Sequence, residues 1–124
     1  MSFRETDALA EMHFGEWEGL TRPEIEARWG ARATPFGGES FAQAESRILS
    51  FLAHAAEVAD GPSPVLLVTH GMMIQLLMHA QSGNPLEQLY KTPFVVQASL
   101  TKVLVKPGLP PSSWEILSAG EVLP

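Results

Sequence analysis

The sequence predicts an α/β sandwich, and three observations predict it. Val65-Leu66-Leu67-Val68-Thr69 is an unbroken apolar run of the kind that forms a strand buried on both faces. That run passes through His70-Gly71 directly into Met72-Met73-Ile74-Gln75-Leu76-Leu77-Met78, where the spacing turns helical, so the two make half of a βαβ unit. Upstream, Phe41, Ala44, Ile48, Phe51, Leu52, Ala55 and Ala59 recur with helical period, the pattern of a helix laid on a sheet. The full order reads α-α-β-α-α-β-β, which fits an α/β sandwich cut from something larger.

Each element has a local reason. The first twenty residues carry no clean period, and Leu9 to Leu20 reads as an ordered loop. Thr21 and Glu24 form a capping box with Pro23 in the first turn, predicting a short helix to about Trp29 that stops at Gly30. Ala31 to Glu39 is a loop broken by Pro35 and Gly37-Gly38. Ser40 and Gln43 form a second capping box and start the long helix, with Gln43, Glu45, Arg47, Ser50 and Glu57 on its wet side. Gly61-Pro62-Ser63-Pro64 ends it just before the Val65 strand. The helix after His70 should end near Gly83, and Asn84-Pro85 starts a short helical segment to about Tyr90. Ser99–Val105 and Trp114–Leu117 alternate as strands around a turn at Lys106-Pro107-Gly108-Leu109-Pro110-Pro111.

Bulk properties narrow the function. At 124 residues the chain is read as one domain, 1–124, with room for a real core. A net charge of −6, with eight scattered basic residues, argues against a nucleic-acid surface. The absence of cysteine excludes disulfides, thiolate metal sites and a cysteine nucleophile. The amino terminus has no apolar signal segment, and Val65 to Met78 is too short for a membrane span. A soluble, cytoplasmic protein is the default.

Candidate chemistry concentrates at two places. Where the Val65 strand meets the next helix, free backbone N–H groups and the helix dipole favour an anion, with phosphate the leading choice. Gly71 lets a ligand approach the backbone, and His70 stands at the carboxyl end of a strand, where open α/β sheets bind ligands. A histidine there is also, often enough, an ordinary core or capping residue. Glu11 lies among Leu9, Met12, Phe14 and Trp17, a setting expected to bury it in part, and burial raises a carboxyl pKa toward general-acid use. Glu16 and Glu18 compete for that role. His13, His54 and His79 are weaker candidates, the last two read as structural or surface residues, and no metal-ligand spacing is present. Gly37-Gly38-Glu39-Ser40 fits a pocket wall, yet a loop entering a capped helix explains it.

Leu9-Ala10-Glu11-Met12-His13-Phe14-Gly15-Glu16-Trp17-Glu18-Gly19, then Gly37-Gly38-Glu39-Ser40, then Val68-Thr69-His70-Gly71 resemble the histidine phosphatase (phosphoglycerate mutase-like) superfamily. The wording is most similar to the branch of broad-specificity and α-ribazole phosphatase-like members. The resemblance implies a three-layer α/β/α sandwich and phosphomonoester hydrolysis, or mutase chemistry, through a phosphohistidine, without metal or cofactor. It implies Glu11 as proton donor, His70 as the second, phosphate-binding histidine, and Gly71 as a substrate-binding neighbour. The partner it implies is a small phosphorylated substrate or inorganic phosphate, with neither nucleic acid nor membrane involved.

Members of that family begin with a strand ending in Arg-His-Gly, whose histidine attacks phosphorus. This chain starts just before the proton-donor loop, so an amino-terminal strand and its βαβ unit, on the order of 30 or more residues, are expected to be missing. The expectation is a catalytically incomplete chain, inactive alone, with a non-catalytic relative that binds a phosphoryl ligand or a protein as the alternative. A bare edge at Val65–Thr69 is expected to make the chain a homo-oligomer, to capture a complementary fragment or to cause aggregation.

Overall fold

A computed structural model describes residues 3–30, 35, 37–59, 61 and 63–124. Three α-helices, α1 (Arg22–Trp29), α2 (Phe41–Glu57) and α3 (Gly71–Ser82), precede a two-stranded sheet of β1 (Ser99–Leu104) and β2 (Glu115–Val122). Short 3₁₀ turns cover Asp7–Leu9, Gly15–Trp17, Leu86–Lys91 and Pro111–Ser113. The class is mixed α/β, as the sequence predicts.

Both capping boxes form. Thr21 Oγ1 accepts from Glu24 N while Glu24 Oε2 accepts from Thr21 N, and Ser40 and Gln43 make the same reciprocal pair at α2. Gly30 caps α1 with φ of 83° and Gly83 ends α3 in the left-handed region, φ 76°, conformations that cost glycine least. Part of the Ala31–Glu39 loop (residues 31–34 and 36) lies outside the described residues.

The core sits where α2 packs on α3. Ala44, Ile48 and Leu52 of α2 meet Met73, Leu76 and Leu77 of α3, with Met12, Leu89 and Trp114 closing the cluster. His79 is buried inside this packing. Its Nε2 lies 2.8 Å from the Pro85 carbonyl, which can only accept, so Nε2 carries the proton and Nδ1 accepts from the Thr92 hydroxyl at 2.9 Å. His79 is thereby structural, pinning the 85–92 segment to α3, whereas His54 is exposed on α2.

The strands differ from the sequence reading at the end of β2 and at Val65–Thr69. The hairpin turn is the expected one, with Leu109 N donating to Lys106 O at 3.2 Å and Gly108 at φ 78° behind Pro107. Beyond it, β2 runs to Val122 because its partner β1 continues to Ser99, antiparallel and in register at Ser99↔Val122. The predicted strand at Val65–Thr69 is the larger difference: it forms no ladder. A strand is defined by its neighbour, and none lies beside it among the described residues. Val65, Leu66 and Val68 are 68%, 75% and 79% exposed, so the apolar run is left bare rather than buried on both faces.

Candidate active site

The loop before α1 is fastened onto α3. Thr69 Oγ1 donates to the Leu9 carbonyl at 2.8 Å, which lays the loop across the residue preceding His70. Met12, 2% exposed, and Trp17, 5% exposed, anchor its far side in the protein, and Trp17 packs tilted against Trp29 and Phe41. The expected semi-buried setting of Glu11 is therefore present. One Glu11 oxygen accepts from Met12 N at 2.9 Å, the other from Met72 N at 3.4 Å.

That second bond places the carboxyl group at the amino end of α3, against a backbone N–H that has no partner within the helix. His70 is the N-cap residue of α3, with extended backbone and no side-chain capping bond. Its imidazole is exposed, unlike that of His79. Gly71 is the first residue of α3, and a β-carbon there would meet only Phe94 Cδ1, at 3.9 Å. Glu11, His70 and Gly71 thus gather around one helix end. Glu16 and Glu18 remain exposed near Trp17.

Gly37-Gly38-Glu39-Ser40 does more than lead into α2. Glu39 N donates to His13 O at 2.7 Å and Glu39 Oε1 accepts from His13 N at 2.9 Å, so Glu39 pairs with the backbone just past Glu11. Glu39 also receives Arg47, with Nη2 at 2.8 Å from Oε1 and Nε at 3.0 Å from Oε2. The hydrogen bond from Arg47 is the main reason that the Glu39 carboxyl is held below its usual pKa, against an opposing push from burial. Periodicity places Arg47 on the wet face of its helix, yet its guanidinium turns inward to the loop. A glutamate just before the Ser40 cap, followed by arginine eight residues later, is the only trace of this pair in the sequence.

Two shallow hollows of about 340 and 420 Å³ lie elsewhere, one beside Phe94 and Gly120, the other beside Arg22 and Tyr90; neither is lined by Glu11 or His70. Among the described residues no cluster of three His, Asp or Glu side chains is arranged to hold a metal ion, and no helix is long and apolar enough to cross a membrane.

A family model described as histidine phosphatase superfamily (branch 1) matches residues 1–115. The chain belongs to the histidine phosphatase superfamily. This superfamily member is 33% identical over 94 residues to a glucosyl-3-phosphoglycerate phosphatase of Mycolicibacterium vanbaalenii, a match covering 64% of this chain and 42% of that protein. It is 30% identical over 94 residues to a 2,3-bisphosphoglycerate-dependent phosphoglycerate mutase of Cytophaga hutchinsonii, covering 65% and 44%. Among solved structures, a mycobacterial glucosyl-3-phosphoglycerate phosphatase bound to inorganic phosphate superposes with a TM-score of 0.69 at 27% identity, covering 94% of this chain and 64% of the other. The native form of that phosphatase superposes with a TM-score of 0.71 at 26% identity, covering 95% and 65%. This histidine phosphatase superfamily chain thus spans less than half the length of the curated relatives it matches.

Proposed function

We propose that this chain supplies the acid and the second-histidine side of a phosphomonoester-hydrolysing site that works through a phosphohistidine. The observation that carries the reading is the Glu11 bond to Met72 N, which puts a carboxyl group at the helix end headed by His70. In this reading a histidine nitrogen attacks phosphorus in line and the bond from phosphorus to the leaving oxygen breaks. Glu11 gives its proton to that oxygen, and water then attacks the phosphohistidine to release phosphate. His70 and the α3 N–H groups hold the phosphoryl oxygens as their charge shifts. Gly71 keeps the backbone open to them.

No arginine in these 124 residues is followed by histidine, so they hold no Arg-His-Gly nucleophile. The 124 residues alone, read as one phosphatase-like domain, are proposed to bind a small phosphorylated ligand or inorganic phosphate without turnover. The same absence supports a second reading, a non-catalytic relative that binds a phosphoryl ligand or a protein. An in-frame strand ending in Arg-His-Gly upstream of Met1 in the gene favours the first, and a stop codon there favours the second. Hydrolysis of p-nitrophenyl phosphate by the 124-residue chain, abolished in His70→Ala, would overturn the proposed absence of the nucleophile. Vanadate should shift the His70, Gly71 and Met72 amide resonances, and an unmoved α3 start refutes the site. Products from a phosphoglycerate substrate separate phosphatase from mutase once the nucleophile is present.

The reading includes a cytoplasmic location, which cell fractionation tests, and a second copy docked on the bare Val65–Val68 edge. Unpaired N–H and C=O groups flanked by exposed apolar side chains are a template for strand pairing. Light scattering should report a dimer or larger, and a monodisperse monomer at high concentration counts against it.

A further inference from the structure

Arg47 binds the Glu11 loop through its backbone. Nη1 donates to the carbonyls of Asp7 at 3.1 Å, Ala8 at 3.1 Å and Ala10 at 2.9 Å, and Nη2 reaches the Glu11 carbonyl at 3.4 Å. The same guanidinium is held by both Glu39 oxygens, and its Nη2 also touches Met73 Sδ at 3.8 Å. A guanidinium has five N–H donors, and the oxygens of the loop and Glu39 occupy them all, leaving none for a phosphoryl group. The last carbonyl in the clamp belongs to Glu11, and from that residue the side chain crosses to Met72 N. Glu39 fixes the Arg47 rotamer from one side and grips His13 N from the other.

We infer that Arg47 is a positioning residue for Glu11: it holds the backbone from Asp7 to Glu11 so that the carboxyl group meets the amino end of α3. The inference rests on the reading of Glu11 as the acid. Arg47 acts on the acid and not on the substrate. Only a planar fork does this, since lysine offers three donors from one nitrogen and cannot span the loop carbonyls and Glu39 together.

The test follows the Met72 amide resonance of the 124-residue chain while the carboxyl groups are titrated. In the unsubstituted chain Met72 and Met12 amides should move together, and Glu11→Gln should remove that response. Arg47→Met should abolish the response at Met72 while the Trp114 indole N–H, bonded to Lys106 O at 3.2 Å in the core, keeps its folded position. If Arg47→Met loses the Trp114 signal, Arg47→Lys decides, because it keeps the charge beside Glu39 and lacks the fork. A folded variant of either kind with an unchanged Met72 response overturns the inference. A purely structural role would lower the melting temperature and leave that response intact. Failure of vanadate to shift α3 with the Arg47 effect present would sink the phosphatase reading and leave the positioning role standing.

Discussion

Gly38→Ala is the substitution whose cost the structure fixes most directly. A β-carbon on Gly38 would lie 2.5 Å from His13 O, 2.8 Å from Gly15 N and 2.9 Å from Phe14 C. All three are backbone atoms, so no side chain can swing away, and the 37–39 segment must separate from the 13–15 loop. Overpacking of this kind costs about 1–3 kcal/mol. Separation also strains the paired bonds between Glu39 and His13, at 2.7 and 2.9 Å, each worth about 1 kcal/mol net. With each bond weakened by about half rather than lost, the sum is about 2–4 kcal/mol. For a chain of 124 residues this should lower the melting temperature by about 10 °C. Thermal unfolding followed by circular dichroism, at fixed protein concentration, measures it. A melting temperature within about 2 °C of the unsubstituted chain, less than 1 kcal/mol, would refute the packing argument, because it would mean that the two segments part without cost.

Gly71→Ala should behave in the opposite way. Its β-carbon meets nothing nearer than 3.9 Å, so stability should stay within about 0.5 kcal/mol in urea melts, while vanadate binding by chemical-shift titration weakens; unchanged binding counts against backbone approach at Gly71. Glu39→Gln should cost about 1 kcal/mol at pH 7 after solvent screening. Because Arg47 holds the folded Glu39 pKa below the ordinary value of 4.5, that contribution is complete above 4.5 and fades as pH falls through the folded value, so urea melts of the two proteins should converge in acid. Glu45 has the reverse sign: burial raises its folded pKa. Glu45→Gln should therefore stabilise by a few tenths of a kcal/mol near neutrality, allowing for screening, and the gain should vanish below the unfolded value of 4.5; a gain that persists in acid refutes the cause.

What the sequence revealed and what it hid divide along the range of the interactions. The starts of α1 and α2 were legible because Thr21 with Glu24 and Ser40 with Gln43 settle them within one turn. The turn between β1 and β2 was legible for the same reason, since Pro107 and Gly108 supply its dihedrals locally. The end of β2 was not, because residues to Val122 are strand only through pairing with β1. Val65–Thr69 has strand composition, yet composition cannot provide a neighbour. Glu11, His70 and Gly71 were picked out by motif, and the bond from Met72 N to Glu11 joins them. Arg47 escaped because its partners are mostly backbone carbonyls in the loop before α1, which leave no signature in residue types. In sequence Gly38 reads as a breaker, whereas its requirement comes from a close approach to a loop more than twenty residues away.

The uncovered run before α3 also sets how the molecule opens. From Ser63 to Thr69 no backbone group takes part in a hydrogen bond with another backbone group among the described residues, although this stretch tethers the two helices that form the core. In the monomer, before that edge is paired, amide exchange should consequently be fast along Val65–Val68 and slow in the buried turns of α2 and α3, a step in local opening free energy across only a few residues. A protease cutting inside the run would sever the covalent link and leave the helix packing to hold the two pieces together.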